Sequence, residues 1–308
     1  MISSDMISTQ ETVAQDSARD GRRRLLWIVY LLSFAILVWF FVEGFDYYMT
    51  PYTERPHHPD YRGLRPAGSR GLAYGIAGSV MMVMMLVYSL RKRTRLLGRS
   101  LPLRPLLDFH IYLGIIGPLF IVLHTSLKVQ GLVAVSFWSM VAVAASGFFG
   151  RYLYLQIPRN IAGKELTLQE MEQTSADTAG NLKARFKLDD ITLGQVDALF
   201  EKRLIPRGNA TFAAILSLMI DDLIRPVVKS KLRRQLLKIV WLPRDQFRDL
   251  FETSFTRALL RRRIHLLGQV QRLFHYWHVI HKPFAIIMYF IMAIHIGIAI
   301  WTGYGWIS

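Results

Sequence analysis

The chain has 308 residues, with 38 Lys+Arg against 22 Asp+Glu for a formal charge of +16, and 52% of its residues are hydrophobic. Its charges alternate with long apolar runs, which excludes an ordinary soluble domain and assigns the excess charge to membrane topology, with no nucleic-acid footprint. With no cysteine, the chain has no disulfide, no iron–sulfur cluster on its own thiolates, no C-x-x-C-H haem attachment and no thiolate zinc site. Any metal chemistry must use His, Met or carboxylate.

Residues 1–20 are polar without an apolar period and read as a mobile tail. Arg22, Arg23 and Arg24 then precede a charge-free run from Leu25 to Val42, followed by Glu43-Gly44-Phe45-Asp46 with no small-residue cleavage site, so it is expected to be a retained anchor. Further runs cover Leu72 to Leu90, Pro105 to Ser126, Gly131 to Leu155 and His278 to Trp301. Each can cross a hydrocarbon core of about 30 Å as a helix. The expected fold is an all-α integral membrane bundle of five transmembrane helices, four of them within residues 21–156 and the fifth within 277–308. Gly71, Gly75 and Gly78 suit close helix packing, and Met81, Met82, Met84 and Met85 read as adaptable packing.

Basic clusters at Arg22–Arg24, at Arg91, Lys92, Arg93, Arg95, Arg99 and Arg104, and at Arg151 and Arg159 fall on one side if the helices alternate. That side is the cytoplasm by the positive-inside rule, which places the N-terminus inside and the C-terminal Gly303-Tyr304-Gly305-Trp306-Ile307-Ser308 outside.

Residues 157–276 then form a cytoplasmic insert of helical pattern: Leu166 to Glu172, Thr192 to Leu204 with Thr192 as N-cap, Phe212 to Ile224, and a basic stretch from Asp245 to Phe274. Arg248, Arg257, Arg261, Arg262 and Arg263 in that stretch are expected to dock an acidic redox subunit, with lipid headgroups or plain solvation as alternatives.

The histidines carry the chemistry. His110 and His124 lie 14 residues apart in the third run, and His281 and His295 lie 14 apart in the fifth. Fourteen helical residues rise about 21 Å and return to within about 40° of the starting face. The third and fifth helices run in the same direction, so His110 lies level with His281 on the inner side and His124 with His295 on the outer. Two imidazoles from facing helices are what a b-type haem requires, without burying charge. A packed or hydrogen-bonding role is the alternative for any one of them. His278 rivals His281 but stands about 100° off the His295 face. Arg151 and Lys282, at the cytoplasmic edge, are candidates to pair haem propionates, with solvation as the alternative. Gly114, Gly117, Ala144, Ala145, Ser146, Gly147 and Gly150 could give a macrocycle room, or serve helix packing.

In "DFHIYLGIIGPLFIVLHTS", "HKPFAIIMYFIMAIHIG" and "SGFFGRYLY" the chain resembles the di-haem membrane cytochrome b modules of the ferric-reductase-like and NADPH-oxidase family; cytochrome b561 has similar histidine spacing. The likeness covers residues 105–156 and 277–302. It implies two non-covalent b-type haems on His110, His124, His281 and His295. The flavin- and nicotinamide-binding domain that commonly follows such a module is not expected here, and the insert departs from the pattern.

Electrons are therefore expected to pass to or from a flavin, iron–sulfur or multihaem cytochrome subunit, or a membrane quinone. The expected role is a cytochrome b subunit in a bacterial inner membrane, an electron-transfer part of an oxidoreductase complex. The alternatives are a stand-alone terminal reductase of a metal ion or oxygen, and a non-redox His-lined transporter or scaffold.

Overall fold

A computed structural model of the chain describes residues 2–94, 103–158, 166–205 and 211–303. Among the described residues all regular structure is helical and no strand is present. Arg95, Arg99, Arg159 and Tyr304–Ser308, used above in the topology argument, lie outside them.

The first helix, α1, runs from Ile2 to Glu43. Residues 2–20 have helical backbone, and no Gly or Pro interrupts the chain before Gly21. A compact segment follows, made of α2 (Phe45–Met49), a 3₁₀ turn (Arg55–His57) and α3 (Tyr61–Leu64). Then come α4 (Ser69–Arg93), α5 (Leu103–His124) and α6 (Gly131–Gln156). Tyr47, Tyr48 and Leu64 of the compact segment are buried against Leu37 of α1, Tyr74 of α4, and Ile116 and Leu123 of α5. This apolar seam caps one end of the bundle.

Small residues draw α4 and α5 together, as expected for the glycines of α4. A Cβ on Gly78 would stand 3.0 Å from the Gly117 carbonyl oxygen, and one on Gly117 would stand 3.3 Å from Met81 Cβ. Only at such positions do helix backbones approach this closely.

The chain divides into two compact units, Met1–Gly147 with His281–Ser308, and Phe148–Ile280. The second holds α7 (Leu168–Phe186), α8 (Asp190–Leu204), α9 (Thr211–Leu223), α10 (Arg225–Leu236) and the first part of α11 (Arg244–Trp301). Its core joins Leu182, Val196, Phe200, Val228, Leu232, Leu250, Phe251 and Phe255. The basic stretch and the fifth apolar run are thus one helix of 58 residues, with Pro283 inside it. The N-cap of α8 is Asp189, whose carboxylate accepts from the Thr192 N–H at 3.3 Å; Thr192 itself is already helical. Thr167 caps α7 in a reciprocal box with Glu170.

The arginines expected to form a docking face are largely consumed inside this unit. Arg257 binds Asp197 at 2.5 Å and the Ser175 carbonyl at 2.9 Å. Arg261 binds Asp197 and Glu201. Arg262 is 2% exposed and donates to Asp222 at 2.9 Å. Tyr152 and Gln156 donate to the same carboxylate. Burial pushes Asp222 upward, but the hydrogen bond and charge of Arg262 outweigh it and hold the carboxyl below its ordinary pKa. Arg248 is exposed, and 36% of the Arg261 side chain is exposed.

Among the described residues five helices are long and apolar enough to cross a membrane, and only 6–28% of each apolar window is buried inside the protein. Leu31 and Trp39 of α1 and Ile286 and Phe290 of α11 face outward. Outward apolar surface on this scale needs a hydrocarbon solvent, so the chain is a multi-pass membrane protein.

Candidate functional site

All four histidines singled out by spacing belong to the first unit. His110 sits in the second turn of α5, half-buried, with its Nδ1 3.1 Å from the carbonyl oxygen of Met85 on α4. His124 ends α5, and its Nδ1 lies 2.8 Å from the carbonyl oxygen of Gly71 at the opposite end of α4. A carbonyl can only accept, so in both rings the proton is on Nδ1 and the lone pair is on Nε2.

His281 reaches the same state by a less direct route. Its Nδ1 lies 2.7 Å from Ser146 Oγ, and that hydroxyl also stands 3.0 Å from the Val143 carbonyl. The single hydroxyl proton goes to the carbonyl, so Ser146 accepts from His281 Nδ1–H. His295 is exposed on α11 and within electrostatic reach of His124. His124 and His110 are oriented by α4, at its two ends, and His281 by α6.

His278 behaves differently. Its Nδ1 bonds the Phe274 carbonyl one turn back in its own helix, and its ring lies 4.6 Å from Phe274 and 4.5 Å from Trp277. Trp277 also fills the space over Gly150, where a Cβ would come within 2.2 Å of its ring. That glycine is explained by an indole and needs no macrocycle. Gly114 similarly accommodates Met85, 3.2 Å from where its Cβ would be.

Between the two histidine levels the unit is closed by thioethers. Met288 stands seven residues from both His281 and His295 and packs with Met82 of α4 and Met140 of α6, flanked by Ile121, Phe137 and Met292. Tyr289 Oη donates to the Met82 carbonyl at 2.6 Å, and Ser136 Oγ donates to the Met288 carbonyl at 3.0 Å. Both bonds cross between helices and hold α11 at a fixed height. The methionines act as packing, as read from the sequence.

Lys282 is exposed. Arg151, half-buried in the second unit, lies 5.6 Å from the Tyr154 ring. No group of three or more His, Asp or Glu suited to a metal ion occurs among the described residues. The chemistry of His110, His124 and His281 would suit a haem: each Nδ1 lies within hydrogen-bond distance of an oxygen, which would leave Nε2 to meet the iron.

Sequence reasoning missed these acceptors. Ser146 carried a signal, being the hydroxyl among small residues in α6, whereas the Met85 and Gly71 carbonyls carry none. Gly75 was read as packing in general, yet its place is specific: a Cβ there would stand 2.6 Å from His124 Nδ1. Comparison with protein-family models, curated proteins and solved structures gives no match.

Proposed function

We propose that the chain is the membrane cytochrome b subunit of a multi-subunit oxidoreductase or respiratory electron-transfer complex, with two bis-His b-type haems. His110 and His281 hold the inner group, and His124 and His295 the outer. The observation that carries this reading is that Nδ1 in each of His110, His124 and His281 meets an oxygen of a neighbouring helix within hydrogen-bond distance. When bound, such a haem supplies a one-electron site at its iron. The residues' part is to present Nε2, fix each ring and exclude water from the layer that Met82, Met140 and Met288 fill. The partner is a flavin, iron–sulfur or multihaem cytochrome subunit, with a membrane quinone as a further carrier. The basic clusters support a cytoplasmic N-terminus, in a membrane that this reading takes to be a bacterial inner membrane.

Purified protein should show a b-type spectrum and about two haems per chain by pyridine haemochrome assay. A folded, colourless preparation from haem-replete cells would sink the proposal. A second reading, terminal reduction of a small acceptor, is favoured by an open depression of about 400 Å³ beside the turn after His124, lined by Tyr52, Leu127, Lys128, Gln130, Phe137 and Trp138 among others. Oxidation of dithionite-reduced protein by a ferric chelate or oxygen without a partner, lost on filling the depression with Val129→Trp, would select it.

A further inference from the structure

The compact segment between α1 and α4 contains a buried cation without a counter-charge. Arg55 is 6% exposed, and its guanidinium meets carbonyl oxygens: Nε donates to Thr50 at 2.8 Å, Nη1 to Ser126 at 2.5 Å and Nη2 to Tyr48 at 2.6 Å. It also lies over the rings of Tyr52 at 4.3 Å and Tyr47 at 5.2 Å. Among the described residues no carboxylate stands within ion-pair distance of it. The segment holds three acids, Asp46, Glu54 and Asp60; Asp46 and Asp60 lie 3.1 and 3.9 Å from His58, and Glu54, although next to Arg55 in sequence, makes no ion pair with it. A guanidinium cannot shed its proton, so the positive charge is permanent.

What Arg55 holds is the turn that follows His124. Ser126 and Leu127 have φ of 49° and 60°, a left-handed pair that residues with side chains rarely adopt and that persists only when surroundings impose it. Arg55 pins the Ser126 carbonyl and Tyr52 the Leu127 carbonyl. Ser126 Oγ is tied back to the Leu64 carbonyl at 2.6 Å. The segment thus grips the chain two residues beyond a histidine assigned to the outer haem.

We propose that Arg55 is a positioning residue for His124 whose fixed charge also raises the reduction potential of the His124–His295 haem. That haem becomes the more oxidising of the two, and electrons descend towards it from the His110–His281 level. This rests on the di-haem reading. Reduction of ferric to ferrous iron adds one negative charge, which a nearby buried cation stabilises far more than a solvated one does. The cations nearest His110 along α4 are Arg91, Lys92 and Arg93 in its last turn. Lys92 and Arg93 are exposed, so water and counter-ions screen them, while Arg91 is half-buried with its Nε enclosed.

The test is a redox titration of the full-length holoprotein in lipid nanodiscs, with haems assigned by His124→Ala and His110→Ala. In the wild type the higher-potential haem should be the one lost with His124. Arg55→Met should lower that potential and leave the other unchanged. Arg55→Lys, which keeps the charge with fewer donors, should stay near the wild-type potential even as thermal stability falls. A folded Arg55→Met protein with unshifted potentials would overturn the proposal and reduce Arg55 to a backbone staple. If that variant does not accumulate, the wild-type order still decides, because a lower-potential haem on His124 overturns it equally. A haem-free wild type would fail earlier and remove the di-haem reading together with this one.

Discussion

Gly75→Ala adds one methyl group at the place where the packing around His124 is least forgiving. The new Cβ would stand 2.6 Å from Nδ1, 2.8 Å from Cε1 and 2.9 Å from Cγ of the imidazole. Ordinary contact begins near 3.5 Å, so ring or helix must move by about 1 Å. The bond from His124 Nδ1 to Gly71, now 2.8 Å, cannot survive such a shift of the ring. Losing it costs about 0.5–1.5 kcal/mol, and overpacking a tight contact adds about 1–3 kcal/mol. The expected sum is about 2–4 kcal/mol, concentrated on one histidine. Gly114→Ala is the matched control: its Cβ would meet the flexible end of Met85 at 3.2 Å, and the thioether can swing aside. Thermal unfolding of both variants in the same detergent, with low-temperature spectra of any bound haem, compares them. Gly75→Ala should lose thermal stability and disturb only the outer haem, while Gly114→Ala stays near wild type. Equal behaviour of the two variants would refute the claim that Gly75 is a cradle for the His124 ring.

Single alanine replacements should act in pairs: His110 or His281 removes one haem, and His124 or His295 the other, as read by haem content and spectra. Ser146→Ala deprives His281 of its acceptor and should weaken retention of the inner haem by about 10-fold or more, measured by haem loss to apomyoglobin. Arg262→Met leaves Asp222 half-buried with only Tyr152 and Gln156 donating and Arg225 3.7 Å away. It should cost about 3 kcal/mol in denaturant unfolding of the full chain, largely restored by adding Asp222→Asn. Because the folded-state pKa of Asp222 is depressed, its contribution is complete above the unfolded value of about 3.9 and is lost as pH falls through the lower folded value. Wild-type stability should therefore fall in acid more steeply than that of Asp222→Asn.

The five spans were legible because hydrocarbon leaves little choice: eighteen or more apolar residues without charge must be helix. The histidine pairs were legible as spacing, since helical phase is arithmetic. Their tautomers were not, because Met85 and Gly71 contribute carbonyls, and backbone atoms carry no sequence signal. The ion pairs of the Arg257–Arg263 cluster were not legible for a different reason. Its partners Asp197 and Asp222 lie 60 and 40 residues away, beyond any local pattern. The missed α10 had a signal, in Val228, Leu232 and Leu236 at four-residue steps, all buried. The Lys and Arg between them hid an apolar stripe within a basic stretch. The basic stretch runs directly into the fifth span in the sequence, and the structure makes the two one helix from Arg244 to Trp301 with Pro283 inside it.

A histidine relays protons only if its ring can take one on one nitrogen and release one from the other, turning over between hops. The Nδ1–H groups of His110 and His124 point at the amide oxygens of Met85 and Gly71. Amide oxygens are too weakly basic to accept a proton and pass it on. A proton arriving at Nε2 of either ring has no exit on the far side, and the ring cannot turn without breaking the bond that orients it. A hopping chain through this bundle would stop at each of these two residues. The same bonds that would hold an iron ligand still make the helices insulating to protons along that route, so charge crossing here as electrons would not be short-circuited by a return of protons through the same histidines.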